Sequence, residues 1–265
     1  ATFPTGGATK VGPVTAAPTV AADDSNHIWV FFGTGRYYST TDKTNQDTQY
    51  FFGVKDPVLT GGCTQSSATN CQQNDLVNVS SASVCVVCAS GANQVTDPNN
   101  ASVTTLTGTA TTTLQGLVQS KNGWYTTLPT SGERDLSAPI IIGGTVFFPT
   151  FTPTNDICSA SGNGTLYALF YQTGSAYKES VIGTTTSGGT TTVNRSMSLG
   201  TGLASQMAVH IGAQGTGTAG SSGGAGSAGS VSLIGQSSTG ATTKVAATPA
   251  LISQSHYLSW INQRD

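Results

Sequence analysis

The side chains able to do chemistry are few and scattered along this chain. Cysteine occurs at Cys63, Cys71, Cys85, Cys88 and Cys158. In an exported, charge-poor protein, two disulfides with one cysteine left over is the simplest arrangement, and the odd thiol would pair with a chain or segment outside this sequence. Cys85-Val86-Val87-Cys88 has the spacing of a redox motif. Such a motif normally opens a helix after a strand, whereas this one lies inside a β-branched run. Ala89 stands where haem attachment would need histidine. All five cysteines are therefore read as structural disulfide candidates.

The remaining chemistry is equally thin. His27, His210 and His256 fall in different parts of the chain, without a metal-binding spacing. No G-x-S-x-G elbow supplies a hydrolase nucleophile. Gly215-Thr216-Gly217-Thr218-Ala219-Gly220 fits a dinucleotide fingerprint, but it sits in a Gly/Ser/Ala run with no following helix or ribose-binding acid. It reads as a flexible loop. Glu133-Arg134-Asp135 is a charge cluster just before a strand, expected to make a local salt-bridged turn. Asp42, Asn45 and Asp47 are weak calcium candidates, with Asp23, Asp24 and Asn26 as a second group. A hard cation needs closely spaced oxygens. These residues serve more often as turn formers, and no D-x-[DN]-x-[DN]-G loop occurs. No catalytic residue and no cofactor is assigned.

What positions these residues is a β-rich frame. Of 265 residues 37% are hydrophobic and only 8% charged, and Thr, Ser and 33 glycines punctuate the remainder. That composition is typical of exported surface proteins and is long enough for an ample core. The net charge of −2 gives no basic footprint for nucleic acid. No apolar run reaches the length of a membrane span, and no signal peptide is visible. The polar start ATFPTGG suggests a chain already mature or cut from a longer one.

Taken in order, residues 1–13 read as an extended arm, and 14–265 as a propeller-like domain with a long disulfide-containing insertion at 58–131. A first unit carries a strand through Thr15–Ala21, then Ile28–Phe32, a polar link, and Gln49–Val54. A second opens at Gly132–Pro139 and continues through Ile140–Ile142, a Gly143-Gly144 turn, Thr145–Phe148 and Thr165–Tyr171, closing on Gln172-Thr173-Gly174. Ala17-Pro18 answers Ala138-Pro139, Val30-Phe31-Phe32 answers Val146-Phe147-Phe148, and Tyr50–Val54 answers Leu166–Phe170. A weaker third copy has Ala204-Ser205-Gln206, Met207–Ile211, a Gly/Ser loop over 213–230, and Val231–Ile234. Within the insertion, Val77–Val87 and Leu114–Val118 are expected strands. An apolar segment, Tyr257–Ile261, is strand-like at the end. Repeated short strands with these turn signals are the signature of propeller blades, and the fold class is all-β, a partial β-propeller. Three blades cannot close a ring. Either the insertion hides a blade, or blades lie upstream in a parent chain.

The segments 11–39 (VGPVTAAPTVAADDSNHIWVFFGTGRYYS), 47–57 (DTQYFFGVKDP), 133–158, 164–174 (GTLYALFYQTG) and 258–265 (LSWINQRD) resemble the C-terminal propeller of the PilC/PilY family. The most specific elements are FGTGRY with its following aromatic strand, and the pattern built from Cys158, Gly164, Leu166, Tyr167, Leu169 and Gly174. The resemblance implies a non-enzymatic bacterial surface protein acting in type IV pilus assembly, tip function or adhesion, with minor pilins or pilus subunits as partners. It further implies contact with upstream blades or a separate complementary chain. Some members carry a calcium loop that this sequence lacks. Two other readings share parts of the pattern. One is a pilin-like filament subunit paired with a separate chain. The other is a quinoprotein-like propeller enzyme, whose blades end similarly but need central metal-binding and stacking residues.

Overall fold

The densest aromatic and β-branched runs of the sequence become the central strands of stacked, mainly antiparallel sheets. The computed structural model describes residues 2–5, 7–10, 12–56, 76–154, 162–211 and 231–247. Cys63, Cys71, Cys158, the 213–230 loop, His256 and Tyr257–Ile261 lie outside them.

At the N-terminus, β1 (Thr2–Thr5) pairs with β2 (Gly7–Lys10) in a separate hairpin. The first large sheet begins with β3 (Thr19–Ala22) and β4 (Ile28–Gly33). A short helix α1 (Thr40–Thr44) sits in the polar link before β5 (Tyr50–Lys55). The segment that follows holds β6 (Val77–Asn78), β7 (Ser83–Val87), β8 (Val95–Thr96), a 3-10 turn at Pro98–Asn100 and helix α2 (Leu114–Gln119). It then returns as β9 (Gly123–Thr127), giving the order β3-β4-β5-β9-β6.

The second sheet holds β10 (Arg134–Asp135), β11 (Ile140–Ile142), β12 (Thr145–Pro153) and β13 (Gly162–Phe170). A hairpin, β14 (Thr184–Ser187) and β15 (Thr190–Val193), leaves this sheet before β16 (Ser196–Thr201) rejoins it against β13. The third sheet is β17 (Ala208–Ile211), β18 (Val231–Gln236) and β19 (Thr242–Ala247).

Burial explains the stacking. Trp29, Phe31, Phe51 and Trp124 of the first sheet share a core with Val146, Phe148, Tyr167 and Leu169 of the second. At its centre Phe51 stacks on Phe148 with ring centroids 3.6 Å apart. The alternate residues of the second sheet, Phe147, Leu166 and Ala168, form another core with Leu233 and Val245 of the third and with Met207, just before β17. Successive side chains on a strand point to opposite faces, so one sheet can serve two cores. The first inter-sheet layer removes several large aromatic side chains from water and the second mainly aliphatic ones, at roughly 1.5–3 kcal/mol apiece.

Two sequence expectations change. Val30 lies opposite Val54 and Val146 opposite Leu169; Phe32 lies opposite Phe52 and Phe148 opposite Tyr167. Val54 therefore corresponds to Leu169, not Phe170, a shift of one residue. A one-residue slip exchanges the faces of a strand, so this register decides which aromatics meet. Leu114–Val118 is helical, not a strand. Thr113 caps it by accepting the Gly116 N–H, and Leu114 and Val118, one turn apart, are both buried.

The accessory strands form a sheet of their own, in the order β14-β15-β7-β8, and its Val84 and Val95 pack into the first core. Thr192 of β15 lies opposite Cys85 of β7, and Cys85 is disulfide-bonded to Cys88 at the end of that strand.

Candidate functional site

The charged residues converge where the first sheet meets the second, and they reach there from both sides. Glu133, Arg134 and Asp135 are all buried. No ion pair joins them, so the expected local salt-bridged turn does not form; Asp42 pairs instead with Arg36, at 2.8 Å. Alternation along β10 sends Arg134 and Asp135 to opposite faces, while Glu133, just before the strand, faces the second sheet.

Arg134 turns towards the loop between β4 and β5. Its guanidinium donates to the carbonyl oxygens of Arg36 at 2.9 Å, Asp42 at 2.6 Å and Asn45 at 2.9 Å, while its Nε–H donates to Gly132 at 2.9 Å. It also lies 5.7 Å from the centre of the Tyr37 ring. Burial pulls its pKa down, and Asp42, Tyr37 and Asp47 oppose that pull. A planar fork with five donors can gather several carbonyls at once, as a lysine cannot. Glu133 faces into the second sheet, where Oε1 accepts from Tyr167 at 2.8 Å and Thr150 at 2.6 Å and Oε2 accepts from the Thr130 N–H at 3.1 Å. Burial, then Glu133, pushes the Tyr167 hydroxyl well above its ordinary range.

Asp135 is the exception. Its Oδ1 accepts from the Ser137 N–H at 3.2 Å, but the buried Oδ2 has no partner. Burial pushes its pKa up to about 8, against the backbone donors of Ser137 and Leu136. The carboxyl lies against the backbone of Gly33, where a Cβ would collide with it, and the Asp135 N–H donates to Thr34 at 3.0 Å. At Gly35 a Cβ would meet the Arg134 side chain and the Asp135 backbone. The Gly-Thr-Gly of FGTGRY is thus set by close approach of the β10 segment. Thr34, fully buried, accepts the Tyr50 N–H on its hydroxyl at 2.9 Å.

Asp42 organises the same loop from inside. Its Oδ2 accepts from the N–H groups of Tyr38 and Ser39 and from the Ser39 hydroxyl, each at 2.9 Å, and Oδ1 accepts from Arg36 Nε at 2.8 Å. The Tyr38 N–H holds its pKa well below the carboxylate range; burial opposes this, and Arg36 and Ser39 reinforce it. Asn45 and Asp47 bond to each other, at 2.8 and 3.0 Å. The three calcium candidates therefore sit on one loop with protein donors on their oxygens. Asp23, of the second group, accepts from Ser25, His27 and the Trp29 indole; burial raises its pKa, and those donors more than offset the rise. No group of three or more His, Cys, Asp or Glu side chains arranged for a metal occurs among the described residues.

Held this way, the loop displays Arg36, with its side chain 54% exposed, and Tyr38, 78% exposed. An exposed tyrosine and arginine on a pinned loop suit protein contact, because little side-chain freedom is left to lose.

Arg195 escaped the sequence reading. Its Nη atoms donate to the carbonyls of Val79 and Ser80, to Gly174 and to the Thr126 hydroxyl, at 2.8–3.4 Å. Burial lowers its pKa, with Tyr167 and Asp97 opposing. It ties the β6 turn, β9 and the Gln172-Thr173-Gly174 turn together. An arginine alone in a threonine-rich, uncharged stretch was the available signal.

No protein-family model matches the chain. Two Xylella fastidiosa (strain Temecula1) proteins described as type IV pilus biogenesis factor PilY1 homologues are each 30% identical to it. The alignments cover 62% and 68% of this chain, but the chain spans only 10% and 13% of those relatives. The crystal structure of the Pseudomonas aeruginosa PilY1 C-terminal domain superimposes with a TM-score of 0.56 at 19% identity, over 90% of this chain and 46% of that one. The fold is accordingly all-β and propeller-like.

Proposed function

We propose that this chain, whose homologues are PilY1-type type IV pilus biogenesis factors, acts in pilus biogenesis as a non-enzymatic scaffold at the bacterial surface. The observation that carries the reading is the use made of the buried charges. Glu133, Arg134 and Arg195 hold strands, turns and loops together, and Asp42 shapes a loop that presents Arg36 and Tyr38 outward. Function then rests on protein contact, with minor pilins or pilus subunits as partners and adhesion or tip activity as its finer form.

A second contact follows from the repeat. The face of the second sheet that packs on the first carries Val146 and Phe148. Its counterpart on the first sheet carries Val30 and Phe32, beside Val20, which is 58% exposed. By equivalence that face receives a preceding blade of a longer parent chain.

The experiment is genetic. In a piliated bacterium encoding this chain, an Arg36→Ala, Tyr38→Ala double variant is expected to lower surface pili at unchanged protein level. Normal piliation and twitching after deletion of the whole coding region would overturn the reading.

A further inference from the structure

We propose that β14 is an acceptor edge, to which an extended, uncharged segment of another polypeptide adds as a fifth strand of the accessory sheet. The inference goes beyond the pilus reading and does not depend on it.

The hydrogen-bonding groups define the occupant. β14 and β15 are joined by the two-residue turn Gly188-Gly189, with φ of +56° and +77°. In such a hairpin the residues flanking the turn, Ser187 and Thr190, form a hydrogen-bonded pair, and the pairs alternate from there. Thr185 therefore bonds inward to Thr192, while Thr184 and Thr186 aim their N–H and C=O groups away from β15. Every residue of β14 is exposed. Two donors and two acceptors, two residues apart along an edge, match an extended backbone and no other common element.

This edge lacks the usual protections. Charged side chains, proline and bulges keep natural edges from pairing. β14 has none of them, and β14, β15, β7 and β8 contain no Asp, Glu, Lys or Arg. Two other edges differ: β16 has a register shift and Gly200 at φ +82°, and β19 carries Lys244. The neighbouring surface is threonine with Val86 and Val87, 43% and 57% exposed, so an uncharged segment rich in β-branched or hydroxyl residues fits best.

Neither a further blade nor a second copy fits as well. Blades stack through sheet faces, and the inner face of this sheet is already taken, with Val84 and Val95 packed into the first core. A copy would offer the same four-residue edge, far short of the roughly 1,200 Å² of a stable interface.

The test uses the full chain and a short synthetic peptide alternating threonine and valine, read by amide hydrogen exchange. Saturating peptide should slow exchange at Thr184 and Thr186 about tenfold while leaving the already bonded Thr185 unchanged. Thr186→Pro removes one outward N–H, and Thr186→Lys places a charge on the edge; each should abolish the protection with thermal unfolding unaltered. If the proline variant unfolds, the lysine variant alone decides. No slowing at millimolar peptide, or slowing that survives both substitutions, overturns the proposal. So does a dimer in sedimentation whose β14 amides are protected without peptide, since a second copy would then be the occupant.

Discussion

Replacing Asp135 by asparagine should abolish most of the pH dependence of stability above pH 4. The Asp135 carboxyl is fully buried, has one oxygen without a partner, and has its pKa pushed up to about 8 from 3.8. Between those values the folded chain keeps a proton that the unfolded chain has lost. The raised group therefore contributes its full stability below pH 3.8, and loses it progressively as pH rises through 8. The slope in that window is about 1.4 kcal/mol per pH unit, or about 4 kcal/mol between pH 4 and 7. Asparagine keeps an acceptor for the Ser137 N–H but never ionises, at the cost of about 1–3 kcal/mol for an unpaired amide donor. Urea denaturation at pH 5, 6, 7 and 8 reads the effect: wild type should lose stability stepwise, and Asp135→Asn should stay nearly level. A wild-type curve flat across this range, or the same slope in the variant, would refute the assignment of a protonated Asp135 at the sheet junction.

Other substitutions test the same junction and its surroundings. Arg134→Lys cannot hold the carbonyls of Arg36, Asp42 and Asn45 together, and should cost about 2–4 kcal/mol in denaturant midpoint with a normal m-value. Gly33→Ala forces a methyl into the Asp135 carboxyl and should cost about 1–3 kcal/mol, with Asp135→Ala restoring part of the loss in a double-mutant cycle. Asp42→Ala frees the Tyr38 and Ser39 amides; their exchange should rise while the β5 amides stay protected, at a cost of about 1–2 kcal/mol. A Cys85→Ser, Cys88→Ser double variant opens a very short loop, and should lower stability by about 2 kcal/mol with faster exchange confined to β7 and β8.

The repeat was legible because strands announce themselves locally. Ile28–Gly33, Thr145–Pro153 and Gly162–Phe170 are aromatic and β-branched runs bounded by turn residues, and each became a strand. The one-residue error between Tyr50–Val54 and Leu166–Phe170 has a physical source. Both strands carry apolar residues on two faces, so the alternation that normally fixes register is missing. Leu114–Val118 misled for a related reason: five residues hold too little periodicity to separate helix from strand, and the deciding signal was the Thr113 cap.

The charged junction was hidden more deeply. Glu133, Arg134 and Asp135 are adjacent, and adjacency suggests mutual pairing, yet a strand sends neighbours to opposite sides. Their partners lie far along the chain: Asp42 and Asn45 for Arg134, Tyr167 for Glu133, Gly33 for Asp135. None of these pairings has a local pattern. The low charge content was itself the clue: in a chain with only 8% charged residues, a run of three such side chains beside a strand is an expensive thing to bury. Arg134 gathers backbone carbonyls that no neighbouring strand satisfies, Glu133 accepts from the Tyr167 and Thr150 hydroxyls, and burial holds the proton on Asp135. The same rule accounts for Arg195, which lies among carbonyls where the β6 turn, β9 and the second sheet meet, and no ladder hydrogen bond reaches.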